Sequence, residues 1–136
     1  MMKRVYPTIL TVTDDAVLVE VPDLEILTEG TDIINVIEMA RDAIGIAGIS
    51  IQDHGDEIPE PSECKSIKIK KGTFAKDGPG ILTLVDVDFD VYRKRLDQKM
   101  VRRNVTLPSW LNAAADKANL NVSRVLQEAL KSKLGF

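Results

Sequence analysis

The chain has one cysteine, one histidine and one tryptophan in 136 residues, and aromatic residues make up only 4% of it. A single cysteine, Cys64, excludes an internal disulfide and agrees with a reducing compartment. It has no CxxC partner and no nearby histidine, so it reads as a plain thiol close to a strand start. The lone His54 stands beside Asp53, Asp56 and Glu57 in a loop without an adjacent Ser or Cys nucleophile, which gives acid–base catalysis little support. Gly78-Pro79-Gly80 is not followed by GK[ST] and is therefore no phosphate loop. No apolar run approaches the roughly 18 residues needed to span a bilayer. The start MMKRVYPTIL has neither a long apolar stretch nor a small-residue cleavage site. The expectation is a cytoplasmic protein without a signal peptide.

What is present is charge of both signs, kept apart. Residues 93–136 hold ten Lys or Arg against three Asp or Glu, a net of +7. Residues 1–92 hold eight against eighteen, a net of −10. An acidic front joined to a basic back suggests two parts with different partners: a basic protein for the first and nucleic acid for the second. With 44% hydrophobic residues a real core is available, so wholesale disorder is excluded.

Along the front, RVYPTILTVT (4–13) and AVLVEVP (16–22) are β-rich runs joined by Asp14-Asp15, a hairpin signal. Residues 25–29 add a short third strand ended by Gly30. Thr31 or Asp32 can cap a helix whose apolar stripe runs Ile33, Ile37, Ala40, Ile44 and Ala47, widened by Val36 and Ala43, with Gly45 and Gly48 at a fraying end. Residues 52–64 form an exposed loop. SIKIKK (66–71) alternates and predicts a strand, and ILTLVDVDFDV (81–91) is the clearest strand of all. The expected fold class is α+β: a small antiparallel sheet of about five strands with one helix packed on it. VYRKRLDQKM then reads as a polar helical connector, so the expected division is 1–92, a linker over 93–100, and 101–136.

The tail poses a different problem. RRNVTLP (102–108) alternates like a strand, yet no second strand lies near it. Pro108 suits the first turn of a helix, SWLNAAADKA continues it, Asn119-Leu120-Asn121 breaks it, and Asn121 caps a second helix. About 35 residues of strand, helix, turn and helix cannot bury a core alone. Two copies pairing their strands antiparallel would satisfy the backbone and close a shared core. Val105, Leu107, Trp110, Leu111, Val125 and Leu126 would then make the dimer. Arg102, Asn104 and Thr106 would face outward on a ribbon sized for the DNA major groove. The second helix would aim the N–H groups around Asn121, Val122 and Ser123, with Arg124 beside them, at flanking phosphates. Arg103 falls on the inward face where an apolar residue is expected, and reaches a phosphate from the ribbon's end.

RRNVTLPSWLNAAADKANLNVSRVLQEAL resembles a ribbon–helix–helix DNA-binding domain. YPTILTVTDDAVLVEVPDL, TEG, TDIINVIEMARDAIGIAGI and IPEPS resemble the HicB antitoxins, so that the likeness covers most of the chain. It implies a degenerate RNase H-like sheet domain that binds and blocks a HicA-like mRNA-cleaving toxin, and a dimeric tail that represses the toxin–antitoxin operon. It implies no cofactor, no metal and no enzymatic activity. Where the family commonly has Pro-Gly-Cys after Pro-Asp-Leu, this chain has Glu25-Ile26-Leu27. Asp23, Glu25 and Glu29 around the third strand are the expected toxin-facing carboxylates.

Two other readings compete. A ligand-sensing ribbon–helix–helix repressor would need no toxin. A two-metal nuclease would use Asp86, Asp88 and Asp90 along the clearest strand. Same-face neighbours on one strand are about 6.8 Å apart, and a metal pair needs ligands from several elements. The expected role for this stripe is a solvated face paired with Lys68 and Lys70 across a hairpin.

Overall fold

The computed structural model describes residues 2–97 and 99–136. Met1 of the basic start and Gln98 of the expected connector lie outside them. The chain divides into two compact units, Met1–Gln98 and Lys99–Phe136.

In the first unit, β1 (Lys3–Val12), β2 (Val17–Val21), β3 (Ile26–Gly30) and β4 (Gly80–Asp88) form one antiparallel sheet in the order β3-β2-β1-β4. The predicted hairpin is present, and its turn is closed by Thr13, whose N–H and hydroxyl both donate to Ala16 O, at 2.9 and 2.8 Å. Register places Tyr6 opposite Val85 and Leu10 opposite Val19. Pleating then turns Tyr6, Leu10, Val17, Val19, Val21, Val85 and Val87 to one side, where all are buried.

That face is covered by α1 (Ile33–Asp53), capped by Asp32, whose carboxylate accepts from Asn35 N at 2.8 Å. The buried stripe is Val36, Ala40, Ile44 and Ile49. It is rotated from the expected one: Ile33 is exposed, while Ile37 and Ala47 are only half-buried. Gly45 and Gly48 do not fray the helix, which continues to Asp53. They are where a second helix, α2 (Phe89–Leu96), closes on the first. A Cβ at Gly45 would stand 2.5 Å from the Tyr92 ring, and one at Gly48 would stand 2.2 Å from Phe89 Cε1.

Three expectations therefore change. The clearest strand stops at Asp88, three residues short of Val91, because Asp88 turns its carboxylate onto Asp90 N at 3.0 Å and starts α2. The polar helix predicted from Val91 onward starts at Phe89 and is no mere connector. Phe89 and Tyr92 are buried against α1, and Arg93 binds Asp53 at 2.6 Å and Gln52 at 3.0 Å. SIKIKK forms no strand, so the sheet has four. Its backbone closes locally into two 3₁₀ turns, Cys64–Ser66 and Ile69–Lys71, with Ile67 N bonded to Cys64 O and Gly72 N to Ile69 O.

In the second unit, α3 spans Ser109–Lys117 and α4 spans Val122–Leu134. Pro108 caps α3 from just outside it and does not enter its first turn. Asn119 takes the left-handed conformation at φ 54° that breaks the helix pair, and the Asn121 side chain accepts from Arg124 N at 3.1 Å to cap α4.

Candidate functional site

In the tail, Arg102, Arg103, Asn104 and Thr106 are all exposed. Residues 101–108 form neither strand nor helix, and residues 101–107 make no backbone hydrogen bond among the described residues. The side chains expected to hold a dimer are open as well. Trp110 is 71% exposed and Val105 is 52% exposed; Leu111 and Val125 are exposed too, while Leu107 and Leu126 are half-buried. No residue of α3 or α4 is buried. At the α4 N-terminus, Asn121 occupies the Arg124 N–H and leaves those of Val122 and Ser123 facing outward. The Arg124 guanidinium lies along its own helix, bonded to Glu128 at 3.1 Å in a pair exposed on both sides.

In the front unit the three expected toxin-facing carboxylates differ in availability. Asp23 holds the loop that returns past the third strand, accepting from Ser62 N at 2.8 Å and from the Ser62 hydroxyl at 2.5 Å. Glu25 ends a short 3₁₀ turn (Pro22–Leu24) in a left-handed conformation at φ 53°, and its side chain is exposed. Glu29 is exposed on the edge strand β3, next but one to Leu27, which is also exposed.

The same loop is fastened at its other end by residues the sequence did not single out. Arg4 donates to Ile58 O at 2.8 Å and Pro59 O at 3.2 Å, and pairs with Glu60 at 3.0 Å. Tyr6 donates its hydroxyl to Pro59 O at 2.6 Å, and burial raises its pKa. A hollow of about 580 Å³ opens beside these groups, lined by Met2, Gln52, Ile58 and acidic residues. Among the described residues that line the hollow the cation is Arg4, and it is already committed to the loop.

Asp86, Asp88 and Asp90 do not act together. Asp86 pairs with Arg41 at 2.9 Å, and that hydrogen bond and charge lower its pKa. Asp88 caps α2, and Asp90 accepts from Met2 N at 3.0 Å. The partner expected for this stripe, Lys68 and Lys70, is replaced by Arg41, which also caps the exposed edge of β4 by donating to Asp86 O at 3.0 Å. Among the described residues no group of three or more His, Cys, Asp or Glu is placed to hold a metal ion. His54 closes α1, with Nδ1 donating to Ser50 O at 2.7 Å. No helix among the described residues is long and apolar enough to cross a membrane.

Against this geometry, the family described as "HicB_like antitoxin of bacterial toxin-antitoxin system" matches residues 6–129, through both units. The chain belongs to this antitoxin family. Solved structures share the fold of this HicB-like chain. One chain of a toxin–antitoxin complex from Streptococcus pneumoniae aligns at TM-score 0.61 and 23% identity, covering 97% of this chain and 99% of its own. The Burkholderia pseudomallei antitoxin HicB aligns at 0.51 and 22%, covering 99% and 98%. A chain of the HicA3 and HicB3 toxin–antitoxin complex aligns at 0.50 and 20%, covering 62% and 98%. No curated protein matches the chain.

Proposed function

We propose that this HicB-like antitoxin neutralises a HicA-like mRNA-cleaving toxin by covering its RNA-binding surface, without chemistry of its own, and represses its own operon through a dimeric tail. Family membership supports the toxin partner, as do structural neighbours taken from toxin–antitoxin complexes. The acidic front unit suits a small basic toxin. Glu25 and Glu29 are the carboxylates free to meet it, while Asp23 shapes the surface by holding the Ser62 loop.

The observation that carries the second role is a tail with no buried residue in α3 or α4 and no backbone pairing over residues 101–107. A second copy supplies both. In the resulting ribbon–helix–helix dimer, Val105 and Leu107 face the shared core with Trp110, Leu111, Val125 and Leu126. Arg102, Asn104 and Thr106 read the major groove, and Arg103, Arg124 and the Asn121–Ser123 amides take phosphates. Linked dimers can carry several toxin-binding units, so toxin occupancy can change operator affinity.

Co-expression with the adjacent open reading frame, followed by sizing of the product, tests the first role. The expected result is a stable complex with a small basic protein that is toxic when expressed alone. Recovery of this chain by itself, with a harmless neighbour, overturns it. Deleting residues 101–136 is expected to abolish operator binding and leave neutralisation partly intact; loss of both refutes the division of roles.

A further inference from the structure

Five of the eight cations in residues 1–92 lie between Lys65 and Lys76: Lys65, Lys68, Lys70, Lys71 and Lys76. No Asp or Glu interrupts residues 64–76. In a unit otherwise dominated by carboxylates, this is a separate positive surface.

The segment is fastened to the sheet on the face away from α1. Thr73 donates its N–H and hydroxyl to the two Glu20 oxygens at 2.9 and 2.6 Å. Ile69 sits so close over Gly80 that a Cβ there would meet it at 2.3 Å, and Gly72 lies within reach of Ile9. Ile67, Ile69 and Phe74 are half-buried, whereas all five lysines are exposed. The alternation of SIKIKK thus sorts side chains inward and outward, although no ladder forms. Lys65 pairs with Glu63 at 3.0 Å. Among the described residues, the side chains of Lys68, Lys70, Lys71 and Lys76 have no partner.

We infer that Lys68, Lys70, Lys71 and Lys76 form a second contact surface for duplex DNA, one that grips the phosphate backbone without reading sequence. Lysine is a mobile point charge suited to phosphate rather than to planar bidentate recognition. The strip presents no exposed aromatic side chain on which single-stranded bases could stack, which favours a duplex. An acidic segment of a second copy is the competing occupant. Its best source is the 54–63 loop, where Glu60 and Glu63 are already paired with Arg4 and Lys65 while Asp56 and Glu57 are exposed. The inference rests on the tail reading, because a front unit this acidic approaches DNA only when the tail brings it there.

The test uses the full chain with Lys68, Lys70, Lys71 and Lys76 all changed to Gln. These positions are exposed, so an unchanged circular dichroism melt is the expected control. Binding to operator and to a random duplex of equal length is followed by fluorescence anisotropy across a salt series. The expected result is equal weakening on both duplexes and a salt slope smaller by about 2–7, at roughly 0.9 per lost phosphate contact and up to two strips in the dimer. An unchanged slope overturns the strip and leaves the tail reading standing. Failure of the unaltered chain to bind either duplex overturns both. Displacement of self-association, rather than of DNA, by poly-glutamate assigns the strip to a second copy and also overturns it.

Discussion

In the front unit Tyr6, Val19, Val21, Val36, Ala40 and Ile44 are removed from solvent altogether, whereas the tail leaves Trp110, Leu130 and Leu134 more than half exposed. Both units carry enough apolar residues to need a core. The front meets that need internally, because a four-stranded sheet offers one broad face and α1 is long enough to cover it. The tail has two short helices and a stretch with no strand to pair with, so its own elements bury no residue of either helix. The lesson is that the front unit closes a core with its own elements, while the dimer proposed for the tail would make that unit's stability depend on concentration.

The strongest way to break this comparison is to place charge on the tail's open face. Val105→Lys with Leu107→Lys is expected to lower both self-association and operator affinity more than a hundredfold, at about 2 kcal/mol or more for each buried interface anchor lost. Sedimentation and anisotropy read this out. Trp110, the only tryptophan, gives the complementary signal: its emission should shift to the blue as the protein is concentrated. An emission independent of concentration would leave the tail a lone, open unit.

Next in size, Ile44→Ala is expected to cost about 2–5 kcal/mol by opening a cavity under the sheet. Denaturation followed by circular dichroism should show that loss in the front, with the Trp110 transition unmoved. Coincident shifts of both signals would mean that the units unfold together. Gly48→Ala should cost about 1–3 kcal/mol, because the new methyl meets the Phe89 ring and α2 must move off α1.

A smaller effect depends on pH. Arg41 lowers the folded-state pKa of Asp86 below its ordinary 3.8. A lowered carboxylate pKa adds stability above the unfolded value, and that stability is lost as pH falls through the folded one. Arg41→Ala should therefore be measurably less stable than the parent at neutral pH, and the gap should vanish in strong acid. A gap that persists at the lowest pH would assign the role of Arg41 to the Asp86 carbonyl at the β4 edge. Least of all, Arg124→Ala should change stability by no more than about 0.5 kcal/mol, since its pair with Glu128 is exposed on both sides.

The hairpin over 4–22, the short third strand and the capped helix from Asp32 were legible because each is set by neighbours within a few residues: Asp-Asp at a turn, Gly30 at an end, Asp32 over an N-terminus. The two tail helices and the Asn121 cap were legible for the same reason. Of the expected site residues, Arg102, Arg103, Asn104 and Thr106 are exposed and Leu107, Val122 and Leu126 are half-buried, while Asp23 is turned toward Ser62, which lies 39 residues away in sequence. Arg4 and Tyr6 gave no signal, since the carbonyls they bind belong to a loop more than 50 residues on.

By itself, then, the amino-acid order determined where chain direction changes, which stretches are amphipathic, and that the tail is too short to close a core of its own. Period and capping are local, and an uncovered apolar surface can be counted without knowing what covers it. Only tertiary structure decided that SIKIKK packs by its isoleucines without joining the ladder, and that Asp88 ends a strand to begin a helix. It also decided that Gly45 and Gly48 make room for Tyr92 and Phe89. Each of those outcomes depends on which distant surface arrives against the segment, and alternation or a glycine in the sequence is compatible with more than one arrival.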